Sequence, residues 1–191
     1  MSFLRELQKQ KRRLKETETI ITKVDGKRYV EIGQEVTQLN DHVYGFVVDT
    51  KPDDIPVLVI DYLYIGSQDC AVNSILKTYN IKHVLSLGIE VNVDVDNKFV
   101  IILDLPESDI KFALKDCLPF VKNAIDNREN VLIHCNAGVS RTAMVTIAYL
   151  MHYELMSYEN AYNLVKIKRP AIQPNDGFRK QLICLKPGEC I

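Results

Sequence analysis

Cys135 precedes Arg141 by six positions, and the residues between them are small or short: Asn136, Ala137, Gly138, Val139 and Ser140. A thiol and a guanidinium at that spacing suit phosphoryl transfer. The thiolate is the nucleophile, and a planar guanidinium can bond two phosphoryl oxygens at once. Val131, Leu132 and Ile133 read as a strand before the loop, and Met144 to Leu150 as a helix after it. Strand, tight loop and helix in that order cradle an anion, because the loop N–H groups and the positive end of the helix converge on it. The same features stabilise a thiolate against a thiol. Residues Asn136, Ala137, Gly138, Val139 and Ser140 are therefore expected to bind phosphate together with Arg141. Gly138 lets the backbone bend so that its N–H groups point inward. The hydroxyls of Ser140 and Thr142 are expected to donate to the sulfur as it departs. His134, beside the nucleophile, is expected to order the loop rather than to act as a base.

The chemistry that follows is a double displacement. Cys135 attacks phosphorus, a general acid protonates the leaving oxygen, and water then cleaves the phosphocysteine with the same group acting as base. Arg141 and the loop amides neutralise the equatorial oxygens, so neither a metal nor a cofactor is expected. The acid should be a carboxyl on a loop above the bowl. Asp104 leads, because it directly follows an expected strand, Phe99 to Leu103, and α/β sites gather at the C-terminal ends of strands. Asp109 is second, with helix capping as its alternative role. Glu107 is third.

The elements that must hold this loop alternate along the chain. Strands are predicted at Val57 to Ile60, Tyr62 to Ile65, Ile81 to Leu87, Phe99 to Leu103 and Val131 to His134. Helices are predicted at about Cys70 to Tyr79, from Ile110, from Thr142 to Tyr153, after Ser157 to Lys168, and from Asp176 to Leu185. Apolar residues at Ile110, Ala113, Leu114, Cys117, Phe120, Val121, Ala124 and Ile125 lie close to helical spacing. Alternating strands and helices imply an α/β fold, a mixed and largely parallel central sheet flanked by helices. The compact domain is placed at 53–191, with its boundary near Asp53-Asp54-Ile55-Pro56. Residues 1–52 form an extension. Its first eighteen residues are rich in charge, with Leu4, Leu7 and Leu14 on one helical face, and read as a solvated helix or as a docking segment. The stretch from Ile20 to Pro52 reads as a linker or arm with short β-prone runs.

The 191 residues are 47% hydrophobic and 26% charged, enough for a core of ordinary size. A net charge of −1 gives no general attraction to nucleic acid or membrane. No apolar run approaches a membrane span, and the N-terminus turns polar at once, unlike a signal peptide. Five cysteines without paired CxxC spacing suggest a reducing compartment, with most thiols as small buried groups. Cytoplasm, with access to the nucleus, is the expected location.

His134 to Arg141 resembles the signature of cysteine-dependent protein phosphatases, and its Ala-Gly-Val-Ser-Arg form is similar to that of the dual-specificity branch. Tyr62-Leu63-Tyr64-Ile65-Gly66-Ser67 and Arg169 to Phe178 are similar to further segments of that family. The resemblance spans about two-thirds of the chain. It implies that Asp104 is the general acid and that Asn175 supports the signature loop. It also implies hydrolysis of phosphotyrosine and phosphoserine or phosphothreonine on proteins, with MAP kinases or their upstream kinases in a stress-activated cascade among the partners. Two other readings use the same residues differently. One is a non-catalytic scaffold for kinases, which the intact Cys135, Arg141 and Asp104 speak against. The other is a phosphatase of RNA or phosphoinositides, for which lysines would be expected within the loop.

Overall fold

The structure is a computed structural model, and it describes residues 18–22, 27–32, 35–42 and 53–189. The chain divides into two compact units, Met1–Val43 and Tyr44–Ile191. In the first, β1 (Glu18–Thr22), β2 (Lys27–Ile32) and β3 (Glu35–His42) form an antiparallel sheet in sequence order. The stretch expected as a linker or arm with short β-prone runs thus carries strands, those runs being paired in a sheet. The predicted charged helix lies outside the described residues, except for Glu18, which opens β1.

The second unit holds β4 (Val57–Ile60), β5 (Leu63–Gly66), α1 (Asn73–Thr78), β6 (Ile81–Leu87) and β7 (Asp96–Val100). It continues with α2 (Ile110–Asp126), β8 (Asn130–His134), α3 (Arg141–Tyr153), α4 (Tyr158–Lys168) and α5 (Asp176–Cys184). The sheet order is β4-β5-β8-β6-β7. Only the β4–β5 pair is antiparallel; the β5–β8, β8–β6 and β6–β7 pairs are parallel. This is the mixed, largely parallel sheet that the alternating pattern implied. β8 lies at its centre, and Val131, Leu132, Ile133 and His134 are all buried, as a strand covered on both faces requires. Among the described residues, no helix is long and apolar enough to cross a membrane.

Two elements differ from expectation. The strand expected at Phe99 to Leu103 lies at Asp96–Val100. Its partner β6 ends at Leu87, Gly88 turns away at φ +69°, and the Gly88 N–H to Val100 carbonyl bond closes the ladder. Ile101, Ile102 and Leu103 are apolar but unpaired, so Asp104 sits on a loop four residues beyond the strand. The helix expected from Cys70 begins at Asn73, behind a separate 3₁₀ turn, Gln68–Cys70. Ser67 caps that turn by accepting from the Asp69 N–H, and Cys70 is held by the Asp53 carbonyl.

Candidate active site

Cys135 follows β8 directly and Arg141 opens α3, so the signature loop runs from the sheet's central strand into a buried helix. Cys135 is 2% exposed. The loop's shape is set from behind. The carbonyls of Asn136 and Val139 accept from the N–H groups of Gln68 and Gln173, each at 2.9 Å. Those of Gly138 and Ala137 accept from Arg169 Nε and Nη2, each at 3.0 Å. Across a trans peptide, the carbonyl of one residue and the N–H of the next point in opposite directions. Pinning these carbonyls therefore turns the N–H groups of Ala137, Gly138, Val139 and Ser140 to the other side, as an anion-binding nest requires. Gly138 takes φ +63°, and a Cβ there would overlap the Gly66 carbonyl, so the bend and the close approach both demand glycine.

Arg141 donates from Nη1 to the Leu87 carbonyl at 2.9 Å, which fixes the guanidinium against the end of β6. Gly88 makes room for it, since a Cβ there would overlap Nη1. Arg141 Nε is buried, has no hydrogen-bond partner among the described residues, and lies 3.9 Å from Asp104 Oδ2. A buried donor of that kind is costly unless a ligand satisfies it, and a phosphoryl oxygen would.

Asp104 is brought to the loop although their sequence positions are far apart. Its Oδ1 accepts from Ser140 Oγ at 2.6 Å and from Asn175 Nδ2 at 2.7 Å. Asn175 is 3% exposed; it also caps α5 by accepting from the Phe178 N–H, and its own N–H donates to Ser140 Oγ. The Ser140 hydroxyl is thus committed to Asp104 and does not donate to the sulfur. The Thr142 hydroxyl is buried and has no partner among the described residues. Asp109 is exposed and caps α2 by accepting from the Lys111 N–H at 2.9 Å, and Glu107 is exposed. The structure brings neither of these to the loop.

His134 is fully buried, with Nε2 2.8 Å from Ser86 Oγ and Nδ1 3.4 Å from the Cys135 carbonyl. Burial, helped by the Arg141 charge, pushes its pKa down to about 4, so the ring is neutral at physiological pH. It ties the strand end to β6 and suits an ordering role.

Arg169 is the residue that the sequence conceals. It follows Lys166 and Lys168 at the end of α4, where a cation reads as a solvated partner of the helix dipole. It is instead 6% exposed and holds two loop carbonyls. The resemblance of Arg169 to Phe178 to a family segment includes the residue but gives it no role.

A central strand that ends in a buried cysteine, a loop with its carbonyls held from behind, an arginine at the start of the next helix and a carboxylate delivered by a separate loop are the arrangement of a cysteine-dependent phosphatase. Residues 63–186 match the family model of the dual specificity phosphatase catalytic domain. The chain belongs to the dual specificity phosphatase family. It is 36% identical to a probable dual specificity protein phosphatase of Dictyostelium discoideum, over 95% of this chain and 96% of that one. It is 33% identical to mouse (Mus musculus) dual specificity protein phosphatase 19, over 90% of this chain and 83% of that one. It also matches a Dictyostelium discoideum protein named MAP kinase phosphatase with leucine-rich repeats protein 2, 37% identical over 67% of this chain and 19% of that one. The crystal structure of DUSP15 superposes with a TM-score of 0.63 at 30% identity, over 67% of this chain and 85% of that one. The chain is a dual specificity protein phosphatase, a hydrolase of phosphoproteins; neither the scaffold reading nor the RNA or phosphoinositide reading is favoured.

Proposed function

We propose that turnover runs through Cys135 as nucleophile, Arg141 as phosphate clamp and Asp104 as acid and base. The observation that carries this reading is the loop whose carbonyls are held outward while Asp104 is held at its rim. Cys135 Sγ attacks phosphorus, the ester P–O bond breaks, and the leaving oxygen takes a proton from Asp104. Water then attacks phosphorus and gives its proton to the Asp104 carboxylate. The S–P bond breaks, phosphate leaves and the thiolate returns. Asp104 Oδ1 already accepts from Ser140 and Asn175, so Oδ2 is the oxygen that exchanges the proton. The loop N–H groups and Arg141 stabilise the equatorial charge in both steps. With Ser140 engaged, Thr142 supplies the hydroxyl left to assist the departing sulfur.

MAP kinases or their upstream kinases, in a stress-activated cascade, are the proposed phosphoprotein partners, and the cytoplasm with access to the nucleus is the proposed location. The relatives named for phosphatases of this kind support the choice of partner. A panel of phosphopeptides carrying phosphotyrosine, phosphothreonine or both tests the reading. Wild-type protein should release phosphate, whereas Cys135→Ser should release none while still binding the peptides. Hydrolysis by Cys135→Ser at the wild-type rate would overturn the assignment.

A further inference from the structure

We propose that Asp53 is a positioning residue for the phosphate loop, acting through Arg169. The proposal rests on the reading of the loop at 135–141 as the phosphoryl site. Asp53 lies outside the segment that matches the family domain, 63–186, and in the sequence it marks only the domain's beginning.

The Arg169 side chain is 7% exposed and pairs through Nη2 with Asp53 Oδ2. Its remaining partners on the loop, the carbonyls of Ala137 and Gly138, are neutral. A cation so desolvated requires an anion, and Asp53 is the carboxylate that supplies it. Asp53 is itself fixed. Its N–H donates to Asp69 Oδ2 at 3.1 Å, and its carbonyl accepts from Ser67 Oγ at 2.8 Å and Cys70 Sγ at 3.1 Å. The same segment sends the Gln68 N–H to the Asn136 carbonyl. The carboxylate therefore reaches Arg169 from a rigid base, and the planar guanidinium is held so that two N–H groups face two successive carbonyls.

Removing the carboxylate leaves a buried cation with two neutral acceptors. The guanidinium then turns toward water and lets both carbonyls go. The N–H groups of Gly138 and Val139, on the far side of those peptides, lose their orientation toward the phosphoryl oxygens. Simple electrostatics predicts the opposite sign, because deleting a negative charge near a dianion site would by itself tighten binding. The sign of the effect thus decides between positioning and bulk charge.

The test uses the full chain and tungstate, an oxyanion that mimics phosphate, as a competitive inhibitor. Asp53→Asn keeps every backbone contact of Asp53 and should raise the tungstate inhibition constant by roughly tenfold, the scale of one charge-assisted hydrogen bond. KM should rise with it and kcat should change less. Asp53→Glu should recover most of the loss. In an Arg169→Gln background, Asp53→Asn should add nothing. Should Asp53→Asn fail to fold, Arg169→Lys, which keeps the charge but not the fork, should weaken tungstate in the same way. Unchanged or tighter inhibition of folded Asp53→Asn, or an equal effect with Arg169 already replaced, would overturn the proposal. If tungstate does not compete in the wild-type protein, the reading of the loop itself fails instead.

Discussion

Asp104 divides its two oxygens between two tasks. Oδ1 is held by Ser140 and Asn175, and Oδ2 lies toward Arg141. In the proposed role of general acid, its proton would matter most when the leaving oxygen is basic, as in phosphothreonine. Asp104→Ala should therefore lower kcat/KM for phosphopeptides by roughly 10²- to 10⁴-fold, the usual range for general acid–base catalysis. Aryl phosphates with good leaving groups should lose far less. Steady-state kinetics on both substrates check this, and equal losses would mean that Asp104 serves the loop's shape rather than the proton. The other thiols stand apart from Cys135 in role. Burial pushes Cys70 up to about 11 and Cys117 up to about 12, so both are protonated and act as small core residues. Cys184 is exposed, and Cys190 lies outside the described residues.

At the scale of elements, the site is a meeting of segments rather than a product of one. The loop that carries Asp104 packs against the start of α5, where a Cβ on Gly177 would overlap the Pro106 carbonyl. Replacing an exposed helical glycine by alanine usually stabilises a protein by restricting the unfolded chain. Here it should do the reverse, because the backbone of the acid loop must move. Gly177→Ala should lose roughly 1–3 kcal/mol in urea denaturation, the usual range for overpacking. It should also lower kcat for phosphothreonine more than for an aryl phosphate, since Asn175 and Asp104 are displaced together. A stabilised Gly177→Ala protein with unchanged kcat would show that the loop yields without consequence.

Across the whole molecule, stability and pH are linked through histidines of opposite sign. His83 on β6 bonds Asp96 at 2.9 Å and Glu129 at 2.7 Å, joining β7 to the turn before β8. Burial opposes its protonation, but the hydrogen bonds to Glu129 and Asp96 outweigh this and raise its pKa. Its contribution is complete below the unfolded value near ~6.5 and is lost as pH rises through the raised folded value. His134 acts the other way. Its depressed pKa, about 4, makes the folded state lose stability as pH falls below the unfolded value. His83→Gln should therefore lower Tm more at pH 6 than at pH 9, by an amount equivalent to about 1 kcal/mol or less. Thermal melts of both proteins at the two pH values provide the check; an equal loss at each pH would assign His83 a packing role alone.

The loop at 135–141 was legible in the sequence by itself, because Cys135, Gly138 and Arg141 lie within one short stretch of chain and their spacing is what the proposed mechanism uses. The sequence also determined the alternation of strands and helices, since each apolar period is local. It placed the strand before Asp104 too late, because Ile101 and Leu103 are apolar without being paired, and pairing depends on where β6 ends. The three-stranded sheet within the first unit was hidden for the same reason. Only the tertiary structure decided that Ser140 serves Asp104 rather than the sulfur, and that Arg169 and Asp53 stand behind the loop. Those contacts join residues far apart in the chain, and what selects them is burial: a charge or hydroxyl removed from water must take whichever partner the fold brings within reach.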